Sequence, residues 1–401
     1  MRATQEAVLA EMRRWGYRFV VTPSVEALEV LARGLEPDQQ RRLFKITDAD
    51  GSLLALTAEK TVSVARLAAG KLRSAPLPLR LCYAAPVLSN EAGRFAHRRE
   101  AYQVGAELIG ASGAAADAEV IALAVRCLDA AGLRRYQVDV GHAEFFQGIL
   151  EGVALTGEAR TQVKRTLAAR DFVALEKLLE ATPLRGAEHE LVLQFPALRG
   201  GPEILDAAGK LVRNRRSERA LEELGLVLEL LAAHGLRDTV SLDLGAIRDF
   251  DYYTGVIFEG YGQDVGRPLA QGGRYDGLLA QFGRPAPATG FVIHLDLVGE
   301  VLARAGHAPG PRLDAAVAWT RAGQSTALRL GSSLRLFGMH SVVDTEARAL
   351  ASARRWAEVV GAANLLHCSG ARTVAWAPAH GRLRRLPAEQ VVARLAAGGA
   401  G

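Results

Sequence analysis

The sequence is poor in several features that would narrow its function at once. Only three cysteines occur in 401 residues, Cys82, Cys127 and Cys368, far apart and with no C-x-x-C pair. That spacing argues against a disulfide framework or a zinc site and suits a reducing compartment. No run of five basic residues is present. The densest clusters, Arg213–Arg219 and Arg382–Arg385, read as solvated faces. A formal charge of +5 permits a nucleic-acid partner without demanding one. No apolar run approaches the length that crosses a membrane. The amphipathic, acid-bearing segment Met1–Trp15 does not read as a signal peptide. No internal repeat is visible. The expectation is a cytoplasmic, soluble protein with no membrane association and no metal or cofactor of its own.

What is present is ordinary globular material. The chain is 49% hydrophobic and 23% charged, and its length allows two or three domains. Residues 3–15 read as a helix stopped by Gly16. Tyr17–Thr22 reads as a strand ended by Pro23, and Ser24–Gly34 as a helix. Phe44–Thr47 and Ser52–Leu56 flank Asp-Ala-Asp-Gly, a hairpin turn in which Gly51 can take positive φ. Thr61–Ala69 reads as a helix, and Leu79–Ala84 and Glu100–Ile109 as strands around a polar loop. A long helix over 116–133 and a strand at Tyr136–Val140 follow. Residues 143–236 are mostly helical in pattern and form a candidate insertion. Strands return at Val240–Leu244, Tyr253–Glu259 and Gly290–Leu295. Ala305–Pro311 reads as a linker. Beyond it, Ala315–Trp319, Ser325–Leu336, His340–Asp344, Ala347–Gly361 and Leu365–Cys368 alternate as a small βαβαβ unit. The last residues, 396–401, read as frayed. The pattern implies an α+β fold in two domains, 1–310 with the helical insertion and a small α/β domain over 311–401.

Three runs carry a chemical signal. They are Arg248-Asp-Phe-Asp-Tyr-Tyr-Thr-Gly-Val-Ile-Phe-Glu259, Gly272-Gly-Arg-Tyr-Asp-Gly-Leu278, and Tyr83-Ala-Ala-Pro-Val-Leu-Ser-Asn-Glu91 with Arg99, Gln103 and Glu107 downstream. Each has a plain structural reading when taken alone. Gly272–Gly273 lacks the spacing of a phosphate-binding loop and reads as a tight turn. Tyr252 and Tyr253 read as half-buried strand residues, and Glu107 as a buried, satisfied acid.

Together the three runs are far more specific, and the chain resembles class II histidyl-tRNA synthetases over roughly residues 3–305. Arg248–Glu259 and Gly272–Leu278 are similar to that family's two histidine signatures. Gly16–Pro23, Pro86–Gln103 and Ala288–Leu297 fit its motifs 1, 2 and 3. The resemblance implies a class II antiparallel sheet flanked by helices and a homodimer through the motif 1 region. It also implies a pocket for free histidine. Glu59, Thr61 and Gln103 would hold the ammonium, with Ala-Glu-Lys-Thr here where the family has Arg-Pro-Glu-Gly-Thr. Glu107 and Tyr253 would meet the two imidazole nitrogens, and Arg248 the carboxylate. Tyr252 and Tyr275 complete the set. The requirements are physical: a buried ammonium needs acceptors and negative charge, and each ring nitrogen needs a partner.

The ATP half departs from the pattern. Ser89 stands at the motif 2 arginine position, Leu297 at the motif 3 arginine position, and Ala96–His97 where the motif 2 loop usually has Gly-Arg. Adenylation brings a carboxylate onto a phosphate, and losing one preorganised donor to such developing charge costs roughly 10²–10³ in rate. A gapped alignment could instead bring Arg94 or Arg98 inward. A histidine half without an ATP half resembles the synthetase paralogues that serve as regulatory subunits of ATP phosphoribosyltransferase. That resemblance implies a non-catalytic chain that partners the short-form catalytic subunit. It would activate that subunit and mediate feedback inhibition by histidine at the first step of histidine biosynthesis. The alternatives are a tRNA or histidine sensor and an active histidyl-tRNA synthetase. Residues 312–401 would then be a reduced anticodon-binding-like domain, whose tail Arg382–Gly401 lacks the stacking aromatics of single-stranded RNA readers.

Overall fold

The computed structural model describes every residue except 34, 36, 91–98, 154, 169–170, 183, 185, 246–252, 264, 307–312, 379–381 and 397–401. The side chains of 37–38, 168, 187–188, 196 and 396 are likewise left aside. The chain divides into two compact units, residues 1–309 and 310–401.

The first unit is built on a nine-stranded sheet. Its strands in chain order are β1 (Arg18–Phe19), β2 (Leu79–Leu88), β3 (Glu100–Ile109), β4 (Tyr136–His142), β5 (Arg199–Gly200), β6 (Val240–Asp243), β7 (Val256–Gly262), β8 (Pro268–Arg274) and β9 (Ala288–His294). They lie in the order β1-β2-β3-β9-β8-β7-β4-β6-β5. The β1–β2 and β4–β6 pairs are parallel and the others antiparallel. The period of two separates the faces. Val104, Ala106 and Leu108 of β3, Phe291 and Ile293 of β9, and Val138 and Val140 of β4 belong to the main core. That core also takes Ala116, Val120, Leu123, Ala124 and Cys127 from helix Ala114–Ala130. This helix is Ala-rich and free of internal Gly and Pro, so its propensity and its burial agree. The opposite face carries Tyr83, Gln103, Gly105, Glu107, Gly290, Gly273 and Glu259, aligned by the strand registers.

Between β4 and β6 run six helices, from Ala143–Gly152 to Arg215–Ala233, interrupted only by the two-residue β5 among the described strands. A three-stranded sheet of Val25–Ala27, Leu53–Leu56 and Lys45–Thr47 sits ahead of helix Thr61–Ala69. The second unit is a five-stranded sheet of β10 (Ala315–Trp319), β11 (Ser341–Ala347), β12 (Asn364–Cys368), β13 (Thr373–Pro378) and β14 (Arg384–Pro387), in the order β11-β10-β12-β13-β14. The first three are parallel to one another, with antiparallel β13 and β14 added.

Several sequence expectations need correction. Ser24–Gly34 is not one helix: Val25–Ala27 is a strand, and only Leu28–Ala32 is helical. The strand expected over Tyr17–Thr22 is reduced to Arg18–Phe19. Gly272–Gly273 is not a turn but the end of β8. A Cβ at Gly272 would lie 2.3 Å from the Gly290 carbonyl oxygen, and one at Gly273 2.9 Å from the Tyr253 ring. Close packing here overrides the poor strand propensity of glycine. The tail is more ordered than expected, since β13, β14 and helix Ala388–Ala396 follow the βαβαβ unit. The linker expected at Ala305–Pro311 falls largely outside the described residues, as do 397–401 of the frayed end. No described helix is long and apolar enough to cross a membrane.

A buried ion pair pins the helix Ala114–Ala130 beneath the sheet. Arg274 Nη2 lies 2.9 Å from Asp117 Oδ1, with both side chains almost fully buried. The same guanidinium donates to Asp276 and to the Ala111 and Gly113 carbonyls. Cutting one partner out of such a pair leaves an uncompensated buried charge. Arg274→Met is expected to destabilise the protein by about 3–5 kcal/mol, and the double variant Arg274→Met/Asp117→Leu to recover most of that loss, measured by urea unfolding.

Candidate functional site

The site grows from β3. Gln103, Gly105 and Glu107 alternate onto the open face, with Glu107 at 1% and Gln103 at 5% exposure. Gly290 of β9 is the register partner of Glu107, and a Cβ there would sit 1.7 Å from Glu107 Oε2. Only glycine leaves room for the carboxyl. Gly105 plays the same part for Tyr83, whose phenol a Cβ would meet at 2.4 Å.

Glu107 accepts a short hydrogen bond from the Tyr275 hydroxyl, while its Oε1 has no hydrogen-bond partner among the described residues. Burial pushes the Glu107 carboxyl from an ordinary value of 4.5 up to about 8, with Tyr275, Thr61 and Tyr83 pulling the other way and Glu59 adding to the rise. Burial also pushes the Tyr83 and Tyr275 phenols well up, and Glu107 adds to both. An unpaired, buried carboxyl oxygen ringed by hydroxyls is costly unless something completes it.

The walls are positioned locally. Tyr275 follows β8 and is fixed from both sides. Its backbone N–H donates to the Ala288 carbonyl, and the Asp276 carboxylate accepts from Ala288 N–H while Asp276 N–H donates to Thr254 Oγ1. Glu59 and Thr61 flank the start of helix Thr61–Ala69, where Glu59 Oε1 accepts from Val62 N–H at 3.0 Å. Tyr253 lies with its ring over Gly273. The charges of Glu107, Glu59 and Tyr253 and the Thr61 hydroxyl all bear on Tyr83, which places these side chains around one phenol.

Of the residues singled out in the sequence, Glu59, Thr61, Gln103, Glu107, Tyr253 and Tyr275 therefore converge on one face. Arg248 and Tyr252 lie outside the described residues, as do Arg94, Ala96–His97 and Arg98. Tyr83 was not among the candidates. The signal was available, since a strand antiparallel to Glu100–Ile109 places its alternate residues on the face that carries Glu107. Gly290 fell within the motif 3 run without being a site candidate, and its part in the site needed the register to be found.

At the ATP positions, Ser89 is buried at the end of β2, with its backbone N–H donating to the Arg99 carbonyl. Leu297 packs into the main core from the first turn of helix Leu295–Arg304. A small cavity there is lined by Glu100, Ala101, Arg267, His294, Asp296, Leu297 and Glu300. Three carboxylates face one guanidinium, and Arg267 is itself 3.9 Å from Glu300. Among the described residues, no group of three His, Cys, Asp or Glu side chains is placed to hold a metal ion.

The Glu107 shift has a consequence for stability. The folded chain keeps this proton up to about pH 8, whereas the unfolded chain releases it near 4.5. Stability is then full below about pH 4.5 and falls as pH rises through the window to about 8. Relative to Glu107→Gln, the ligand-free wild type is expected to lose on the order of 1 kcal/mol per pH unit across that window. Parallel pH profiles of the two proteins by urea unfolding check this; superimposable profiles would contradict it.

Known proteins match this arrangement closely. The family model for histidyl-tRNA synthetase matches residues 1–298. An ATP phosphoribosyltransferase regulatory subunit of Moorella thermoacetica is 41% identical over 350 residues, covering 87% of this chain and 89% of that protein. One from Desulforamulus reducens is 37% identical over 368 residues, covering 92% and 91%. The crystal structure of an ATP phosphoribosyltransferase regulatory subunit/histidyl-tRNA synthetase from Bacillus halodurans superposes with a TM-score of 0.78 at 30% identity, covering 92% of this chain and 94% of that one. Relatedness of this depth, sustained over almost the whole of both partners, places the chain in the histidyl-tRNA synthetase family and, within it, among the ATP phosphoribosyltransferase regulatory subunits.

Proposed function

We propose that this chain is the histidine-sensing, non-catalytic regulatory subunit of a short-form ATP phosphoribosyltransferase. It activates the catalytic subunit and conveys feedback inhibition by histidine at the first step of histidine biosynthesis. The observation that carries the reading is the contrast between the two halves of the site. The Glu107 pocket is complete in its described parts, while Ser89 and Leu297 stand where adenylation needs guanidinium groups.

Glu107 and Tyr253 serve the imidazole, with Tyr275 orienting Glu107. Glu59, Thr61 and Gln103 serve the ammonium, and Arg248 the carboxylate, with Tyr252 completing the set. Leu297 offers no charge to a polyphosphate, and the surrounding Glu100, Asp296 and Glu300 repel one. Histidine acts by binding two states of the assembly unequally, which is the only way a ligand can shift such an equilibrium.

The chain works in the cytoplasm as a homodimer through its motif 1 region, onto which catalytic subunits assemble symmetrically. Phe19, Val21 and Val25 support this, being large apolar side chains exposed along that segment. Residues 311–401 form a reduced anticodon-binding-like domain that has no tRNA partner.

The test is to mix this protein with a short-form catalytic subunit from the same source and to measure phosphoribosyl-ATP formation. Strong stimulation, reversed by histidine, is expected, together with binding heat for free histidine that Glu107→Ala abolishes. Histidine-dependent ATP–pyrophosphate exchange above background would overturn the non-catalytic reading. Absence of both stimulation and co-elution would overturn the partner.

A further inference from the structure

Lys60 stands between Glu59 and Thr61, two of the residues assigned to the ligand ammonium. With Phe145 and Phe195 it is one of the largest fully buried side chains among the described residues, at 0% exposure. Burying an ammonium is expensive unless its donors are used. Here Nζ donates to the Pro23 carbonyl at 3.0 Å and to Thr57 Oγ1 at 2.9 Å. Burial lowers the proton affinity of the amine, and the charge of Glu26 works against that. Glu26 is itself buried and lies 2.6 Å from Arg66, one turn further along helix Thr61–Ala69.

One of the two Lys60 hydrogen bonds, and the charge of Glu26, lead to one stretch of chain. Pro23 and Glu26 belong to the segment that joins β1 to the three-stranded sheet. The same segment is held to Thr57 by its N–H donating to the Ser24 carbonyl at 3.0 Å, and to Leu56 by the ladder with Val25. This segment exposes Val21 at 80% and carries the half-exposed Phe19 and Val25. A cation at this point is not needed to cap the helix, because Glu59 already caps it through Val62 N–H. Nor does helix geometry call for it, since Lys60 is the residue flanking the first turn and makes no side-chain cap of its own.

We infer that Lys60 is a positioning residue that transmits occupancy of the pocket to residues 17–27. A ligand ammonium that engages Glu59 and Thr61 fixes the first turn of helix Thr61–Ala69, and with it the backbone of Lys60. The buried ammonium then fixes the Pro23 carbonyl and the charge partner Glu26. Loss of the ammonium leaves the pocket residues in place but removes the link. A neutral side chain of similar length is compatible with the fold, because Glu26 keeps Arg66 as its ion-pair partner when the ammonium is lost. The inference rests on the histidine reading of the pocket.

Hydrogen exchange with mass spectrometry on the full chain, with and without saturating histidine, tests the link. In the wild type, histidine is expected to slow exchange in peptides covering 100–109 and 272–276, and to slow it by roughly fivefold or more in 17–27. In Lys60→Met, calorimetry is expected to show retained histidine binding and the pocket peptides to stay protected, while the protection of 17–27 is lost. Lys60→Gln, too short to reach both acceptors, is the second variant should Met not fold, with the same expectation. Persistent protection of 17–27 in a folded variant overturns the proposal, as does its absence in a histidine-bound wild type. No binding heat with the wild type overturns the histidine reading itself, and the coupling with it, and is distinguishable from the other outcomes by calorimetry alone.

Discussion

A carboxyl group buried in the middle of a sheet is the constraint around which the first unit is arranged. Glu107 sits on an interior strand, so the groups packed around it must make room for it or hydrogen bond to it. Gly290 does the first, since a methyl group would overlap the carboxyl. Tyr275 does the second, and its own position depends on the Asp276 contacts to Ala288 and Thr254. Arg274, one residue before, points to the other face and ties the strand to helix Ala114–Ala130. Alternation along a single strand thus sends the ligand-facing phenol and the structural guanidinium to opposite sides of the sheet. The run Gly-Gly-Arg-Tyr-Asp reads as a sequence motif because both jobs fall within five residues.

Such a carboxyl is unfavourable in a protein with no use for it. Its Oε1 has no hydrogen-bond partner among the described residues, and burial raises its proton affinity. Replacing Glu107 by an apolar residue would remove that cost, and this supports the proposal that a ligand satisfies the group. A heterocycle with one donating and one accepting nitrogen is suited to a carboxyl that can be driven to either protonation state by what it meets.

Much of this was legible in the chain and some was not, for physical reasons. The helix Thr61–Ala69 and the strand Glu100–Ile109 have the bounds their periodicity suggests, because patterning and propensity agree there. β8 was missed because its strand character does not reside in its side chains. Pro268, Gly272 and Gly273 are poor strand formers, and what holds them in the sheet is the closeness of Gly290, Phe258 and Tyr253. Val25–Ala27 was read as the start of a helix because an apolar period of three or four and a strand of three residues cannot be separated over so short a run. The pocket residues were legible as a set only through family resemblance, since taken singly Glu107 and the tyrosines have plain structural readings. Tyr83 and Gly290 required the strand register, which no local pattern encodes.

The two halves of the proposed site differ in how they are tied to the fold, which bears on how one could be lost while the other is kept. The Glu107 half is centred on the sheet, where Gln103 and Glu107 are strand residues, Gly290 opposite leaves room for the carboxyl, and Tyr275 directly follows β8. Changing Gly290 or Tyr275 would disturb packing as well as binding. The ATP half depends on side chains at the ends of elements: Ser89 closes β2, and Leu297 lies in the first turn of a helix. At such places a guanidinium is replaceable without strain. Leu297 even adds to the main core, where an arginine would have to bring its charge to a partly buried position. Removing adenylation chemistry from this scaffold therefore carries little structural cost, while keeping the buried carboxyl carries a continuing one. The physical asymmetry is in keeping with the proposal of a subunit that binds an amino acid without reacting it.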